Sequence, residues 1–223
     1  MVLILFVIER DEKTMEKRTG KLITFSGIDG AGKSTLCEMV FQHYRNQFPS
    51  ALLSGFEERI FTNELERIAK KLKRKKHDVF SDYICNIAWL CDFAYTVIDL
   101  IEPLLNSGTT VFVDRYYLCA KVYSMATTEQ HIDKLFALYE CLPKPDICLY
   151  LSVDPKEAMK RILKREKERV YYETEKYLTK IKNTYAAFIP NENYHIELIN
   201  ASCPLDESFA KIINSVDQVI KGG

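Results

Sequence analysis

The sequence carries no net charge, since 31 lysines and arginines balance 31 aspartates and glutamates over 223 residues. A neutral molecule offers no overall electrostatic footprint for nucleic acid or an anionic membrane, so neither is expected as a partner. The seven cysteines include no CxxC pair. Most lie in apolar runs, where a reduced thiol behaves as a small hydrophobe, which points to a reducing, cytoplasmic setting and away from a cysteine-held metal. No Ser/Gly/Pro-rich linker, low-complexity tract or internal repeat divides the chain. The apolar run at residues 2–8 has no basic segment before it and is followed by Glu9, Asp11 and Glu12. It is too short to cross a bilayer and poorly built for secretion. It reads as an extra edge strand or as a stretch upstream of the true start, with Met15 opening a more ordinary lead-in. Residues 1–19 are therefore set apart as an N-terminal extension.

What remains is well supplied for a core. The chain is 47% apolar and 28% charged, the balance of a single α/β domain spanning 20–223. Residues 21–26 (KLITFS) read as a buried strand running into a glycine-rich turn. A helix over 33–48 follows, stopped by Pro49. A second strand is expected at 51–56 and a helix over 63–76, with Leu65, Ile68, Ala69 and Leu72 on one face. The basic run 70–76 reads as its solvated face. A long apolar helix over 79–105 carries the single tryptophan, Trp89. A third strand (109–114), helices over 117–125 and 129–142, and a fourth strand (146–153) follow. Pro155 opens a densely charged helix at its first turn, where proline is favoured. Another helix (173–188), a fifth strand (195–199) and a closing helix (205–220) complete the pattern. Strands alternating with helices imply a five-stranded parallel sheet flanked by helices on both faces, with ligands beyond the carboxyl ends of the strands.

The strongest chemical signal lies at the first such end. Gly27-Ile28-Asp29-Gly30-Ala31-Gly32-Lys33-Ser34 satisfies the GxxxxGKS/T pattern between a strand and a helix, and Thr35 continues the helix start. The glycines let backbone N–H groups curl round a phosphate, and the helix N-terminus adds positive potential. Lys33 is placed to reach the β- and γ-phosphates of ATP, and the Ser34 hydroxyl to ligate Mg²⁺. Asp114 and Arg115 close the third strand: the carboxylate suits Mg²⁺ or its water, and the guanidinium suits phosphate charge. No NKxD guanine reader and no LSGGQ segment is present, which disfavours a GTPase and a transporter ATPase. Small kinases instead close an arginine-bearing helical lid. Arg161, Arg165 and Arg169 recur on one helix face after the fourth strand, so a lid is expected over about 161–173, with Arg165 and Arg169 favoured as its catalytic cations.

These residues together resemble the thymidylate kinases, from about residue 20 to residue 220. FSGIDGAGKST is similar to that family's phosphate loop, and Asp114-Arg115-Tyr116 to its DRY motif. Phe56-Glu57-Glu58-Arg59 resembles the stretch that meets the acceptor phosphate. Residues 86–95 (NIAWLCDFAY) resemble the helix whose aromatic ring stacks on thymine. Residues 168–173 resemble the lid, and Asn200-Ala201-Ser202 the loop near adenine. The resemblance implies that Asp29 meets the acceptor sugar or helps manage Mg²⁺, and that Arg59 binds the acceptor phosphate beside Phe56. It also implies that Trp89 stacks on the base, that Tyr123 shapes the sugar pocket, and that the enzyme is a homodimer. The sequence departs from the pattern at three points. Phe93 stands where a second phosphate-binding arginine is usual, Ser26 where a glutamate is, and the polar residue often following DRY is not evident. Exchanging a guanidinium for a phenyl ring removes a charge-assisted contact of about 1.5–3 kcal/mol, or roughly ten- to a hundredfold in acceptor affinity.

The expected activity is phosphorylation of a nucleoside monophosphate, dTMP first. Two alternatives stay open. One is a kinase of a hydroxyl acceptor, for which Glu57 or Glu58 would serve as base. The other is a phosphate-loop module that binds nucleotide without catalysis.

Overall fold

The computed structural model describes residues 18–55, 59–128, 132–164 and 174–222. The apolar run at 2–8 and Met15 lie outside these residues. Five strands are present among them: β1 (Leu22–Gly27), β2 (Ser50–Ser54), β3 (Thr110–Asp114), β4 (Ile147–Ser152) and β5 (Ile196–Asn200). They form one sheet in the order β2-β3-β1-β4-β5, with every neighbouring pair parallel. The expected α/β architecture is met.

β1 is buried along its whole length, as a central strand covered on both faces must be. Ile23 and Phe25 point into one core with Phe112, while Leu22 joins Val111 and Val113 in the other. Helices α1 (Lys33–Tyr44) and α10 (Leu205–Lys221) close the first face through Leu36, Cys37, Val40, Ile212 and Val216.

The second face is covered by one continuous helical run of 25 residues, 82–106. It comprises α4 (Asp82–Tyr95), a π-helical stretch (Thr96–Ile101) and α5 (Glu102–Asn106); the numbering counts α2 (Ile60–Lys71) and the short α3 (Lys76–Val79) before it. The run is long and apolar enough to cross a membrane. Here Leu90, Phe93, Val97, Ile101 and Leu105 pack on the sheet side instead.

Two boundaries differ from expectation for visible reasons. α2 stops at Lys71 because Lys73 takes a left-handed φ of 54°. Its N–H returns to the carbonyl of Lys70 and that of Arg74 to Ala69, a helix-terminating pair. The long apolar helix widens into a π stretch at Thr96, whose hydroxyl bonds the Asp92 carbonyl at 3.1 Å. Single π turns of this kind gather near functional sites.

After β3 come α6 (Tyr117–Thr127) and α7 (Ile132–Glu140); α8 (Pro155–Leu163) and α9 (Glu175–Phe188) lie between β4 and β5. The chain leaves β1 towards β2 but leaves β3 towards β4, so a crevice opens between the carboxyl ends of β1 and β3. Phe25 pairs with Asp114, and Ser54 pairs with Asp114 from the other side. The chain must pass very close there. A Cβ on Gly55 would sit 1.8 Å from the Arg115 carbonyl oxygen and 3.5 Å from the Phe93 ring. Gly55→Ala is therefore expected to lower stability by about 1–3 kcal/mol through overpacking, read as a fall in the urea midpoint at unchanged m-value.

Candidate active site

The helix that follows β1 starts without the usual cap. Gly32, its N-cap residue, has φ 90°, makes no side-chain cap, and the first turn holds no acidic residue. A Cβ at Gly32 would meet nothing within 4 Å, so glycine is required for its backbone angle and not for packing. The first N–H groups of α1 therefore have no side-chain cap and no acidic residue in their own turn, the arrangement that receives phosphate. Ser34 and Thr35 are exposed at this end. Lys33 is buried and donates to the Ile28 carbonyl at 2.8 Å.

Behind the loop, three side chains converge. Arg115 forms an ion pair and hydrogen bond with Asp29 Oδ1. The Tyr123 hydroxyl donates to Asp29 Oδ2 at 3.1 Å, and the Arg115 guanidinium lies 5.4 Å from the Tyr123 ring centroid. Lys33 Nζ stands 4.0 Å from Asp29 Oδ1. Burial works to raise the Asp29 pKa. The positive charges of Arg115 and Lys33, with the hydrogen bonds from Arg115 and Tyr123, outweigh it and hold the carboxyl below its usual range. For Lys33 burial dominates; with the nearby Arg115 charge it pushes the ammonium down to about 8. Arg115 occupies a left-handed backbone position, φ 65°, costing about 1–2 kcal/mol for a non-glycine residue. Its N–H is held by the Phe25 carbonyl at 3.0 Å.

The residues expected to hold Mg²⁺ fit a cation. Ser34 Oγ donates to Asp114 Oδ2 at 2.5 Å, while Asp114 Oδ1 is buried with no hydrogen-bond partner. An orphaned carboxylate oxygen beside a hydroxyl ligand is the acceptor that a metal-bound water requires. No group of three or more His, Cys, Asp or Glu placed to hold a metal occurs among the described residues, so water or phosphate oxygens would have to complete any coordination shell.

A groove of about 230 Å³ continues from the phosphate loop, lined by Thr35, Arg161, Ala201, Cys203, Leu205 and Ser208 among others. The Asn200 side chain shapes this loop, accepting from Ser202 N at 3.0 Å and contacting Cys203 Sγ at 3.1 Å. The sequence pointed to residues 200–202 but not to Cys203, Leu205 or Ser208, which lie beyond the quoted stretch. Arg161 also lines the groove, paired with Glu157 at 3.3 Å. Residues 165–173 of the expected lid, Arg165 and Arg169 among them, lie outside the described residues, as do Phe56, Glu57 and Glu58.

The remaining acceptor candidates are not equivalent. Arg59 is exposed at the start of α2. Trp89 is partly exposed and packs against the second core. Phe93 needs correction as a lining residue: it has no exposed surface and packs on Tyr116 and Tyr139 at 5.3 and 5.9 Å between ring centroids. Sequence reasoning also passed over Tyr185 on α9. Its buried hydroxyl lies 3.3 Å from Gly27 N and 2.9 Å from Cys119 Sγ, bracing the first loop glycine. No motif marks it, because the contact joins residues 158 apart.

The thymidylate kinase family model matches residues 25–212. The chain belongs to the thymidylate kinase family. It is 32% identical to the thymidylate kinase of Dictyostelium discoideum over 219 residues, covering 95% of this chain and 90% of that protein. It is 28% identical to the thymidylate kinase of Legionella pneumophila (strain Corby), covering 93% and 99%. The thymidylate kinase of Ligilactobacillus salivarius is 26% identical, covering 84% and 93%. Membership makes this protein a phosphotransferase, and the family's DRY turn and phosphate loop are the elements that meet in the Asp29–Arg115 pair.

The lowered Lys33 pKa gives a signed prediction. Triphosphate favours the charged ammonium, so below about pH 8 binding needs no proton uptake, and above it Lys33 must first be protonated. The Kd for ATP is expected to be flat below that point and to rise by up to about tenfold per pH unit above it. Calorimetric titrations on the wild type and Lys33→Ala check this; only the wild type should show the slope.

Proposed function

We propose that this protein transfers the γ-phosphoryl group of ATP to dTMP, giving dTDP and ADP by direct in-line displacement. The observation that carries this reading is the junction of the phosphate loop with the Asp29–Arg115–Tyr123 cluster. A guanidinium held directly behind the phosphate loop by Asp29 and Tyr123 supports transfer of a phosphoryl group at this point. The acceptor oxygen belongs to a phosphate already anionic near neutral pH, so the transfer needs no obligatory general base.

Lys33 and the α1 N-terminus would grip the donor phosphates. Arg115 is shared between Asp29 and the transferring group, where its planar fork suits charge spread over equatorial oxygens. Arg59 would hold the acceptor phosphate, Trp89 would stack on the base, and Tyr123 would wall the sugar. Arg165 and Arg169 would close over the reaction from the lid. Ser34 and Asp114 would hold Mg²⁺, which neutralises the bridging phosphate oxygens when bound. In the homodimer implied by family membership, the apolar side chains left exposed by α2 and α4, Ile60, Phe61, Ile84 and Tyr95, would find a partner surface. Seven free thiols support a reducing, cytoplasmic setting.

A coupled ADP-release assay with dTMP, dUMP, other monophosphates and thymidine tests the reading. Turnover is expected with dTMP and not with thymidine, and Lys33→Ala is expected to cut kcat/KM by at least about a hundredfold. Phosphorylation of thymidine in place of dTMP, or ATP binding with no turnover on any acceptor, would overturn it.

A further inference from the structure

The first turn of α2 breaks two local rules at once. Its N-cap residue is Arg59, which has no acceptor atom to offer the open N–H groups and makes no cap. The first turn contains no acidic residue, so the helix itself offers no anion to the cation at its positive end. Asp92 on α4 supplies what is missing. Its Oδ1 accepts from Phe61 N at 2.8 Å, and its Oδ2 accepts from Thr62 N at 3.0 Å and Thr62 Oγ1 at 2.5 Å. Phe61 and Thr62 are the second and third residues of the helix, the two whose N–H groups an ordinary N-cap side chain would satisfy. Asp92 is 1% exposed and Thr62 5%, so this carboxylate is committed to the helix end and not to solvent. Local departures from good capping are what a functional demand on one residue leaves behind.

We propose that Asp92 is a positioning residue for the acceptor: it caps α2 from across the α4 interface and so fixes Arg59, the N-cap residue, over the acceptor phosphate. The inference rests on the kinase reading above and goes beyond it by assigning a role to a side chain that touches neither substrate. Asparagine in this place would turn an amide N–H₂ towards either the Phe61 or the Thr62 N–H, so part of the cap is lost and donors face one another. Phe93 sharpens the requirement, because the adjacent position offers the acceptor no second guanidinium.

The test is a cycle of Asp92→Asn, Arg59→Gln and the double variant, with KM for dTMP, KM for ATP, kcat and Tm measured on each. Asp92→Asn is expected to raise the dTMP KM by roughly ten- to a hundredfold, the span of one charge-assisted contact, with the ATP KM held within about twofold. The double variant should show the dTMP KM of Arg59→Gln alone, because the two residues act as one unit. Should Asp92→Asn fail to fold, Thr62→Val, which removes one of the three donors, must raise the dTMP KM in the same direction by a smaller factor. A fall in Tm with unchanged dTMP KM, a parallel rise in both KM values, or independent effects in the double variant overturns the inference alone. A wild-type enzyme inert towards dTMP overturns the kinase reading, and this inference with it.

Discussion

The site depends on a single buried anion between two cations. Asp29 comes from the phosphate loop, Arg115 from the end of β3 and Lys33 from the first turn of α1, and Asp29 contacts both. Without its carboxylate, two positive charges would face each other with only neutral tyrosine and backbone between them. Breaking one partner of such a buried group costs several kcal/mol because it leaves the rest uncompensated. With it, the cluster keeps one surplus positive charge and is poised for a polyanion. This also explains why Arg115 tolerates a left-handed backbone: its N–H is held by Phe25 and its guanidinium by Asp29, so the surroundings over-determine the strained turn.

That turn is reached only because the sheet lets the chain approach it. β2 is followed at once by Gly55, whose N–H donates to the Asp114 carbonyl at 3.0 Å and whose missing Cβ makes room for the Arg115 carbonyl. Beneath the same point lies Phe93, fully buried against Tyr116 of the DRY turn. The backbone carrying Asp114 and Arg115 is therefore clamped from the β2 side by hydrogen bonding and from below by aromatic packing. The backbone of the candidate site is thus fixed by the fit of close-packed neighbours, and α9 adds to it by bracing Gly27 through the Tyr185 hydroxyl.

Much of this was readable from the chain, and the physical reason is locality. The strand–helix alternation, the phosphate loop and the Asp114–Arg115 pair each lie within a few consecutive residues, so periodicity and spacing reveal them. Helix ends were less legible: Lys73 ends α2 in a conformation that lysine seldom adopts, and no residue-type rule announces it. Least legible were contacts between distant segments. Asp92 reads in sequence as one acid in an apolar helix, and only the folded chain brings it to Phe61 and Thr62. Tyr185 and Ser208 were silent for the same cause.

The phenylalanine at position 93 joins these points. The family resemblance puts an arginine there, and the simplest view of its loss is a weakened acceptor site. The structure shows what the exchange gains: a fully buried ring seated between Tyr116 and Tyr139, where an unpaired guanidinium would carry a heavy desolvation cost. Packing beneath the DRY turn and cationic charge at the acceptor are thus alternatives at one position, and this chain takes the packing. On the proposed reading, the acceptor phosphate would then rely on cations anchored elsewhere. Arg115 is tied to Asp29, and Arg59 starts a helix whose cap comes from the residue next to Phe93. On the role proposed for Asp92, the rigidity it lends the start of α2 would offset charge lost at Phe93, and the neighbouring pair would form one adaptation of the acceptor site.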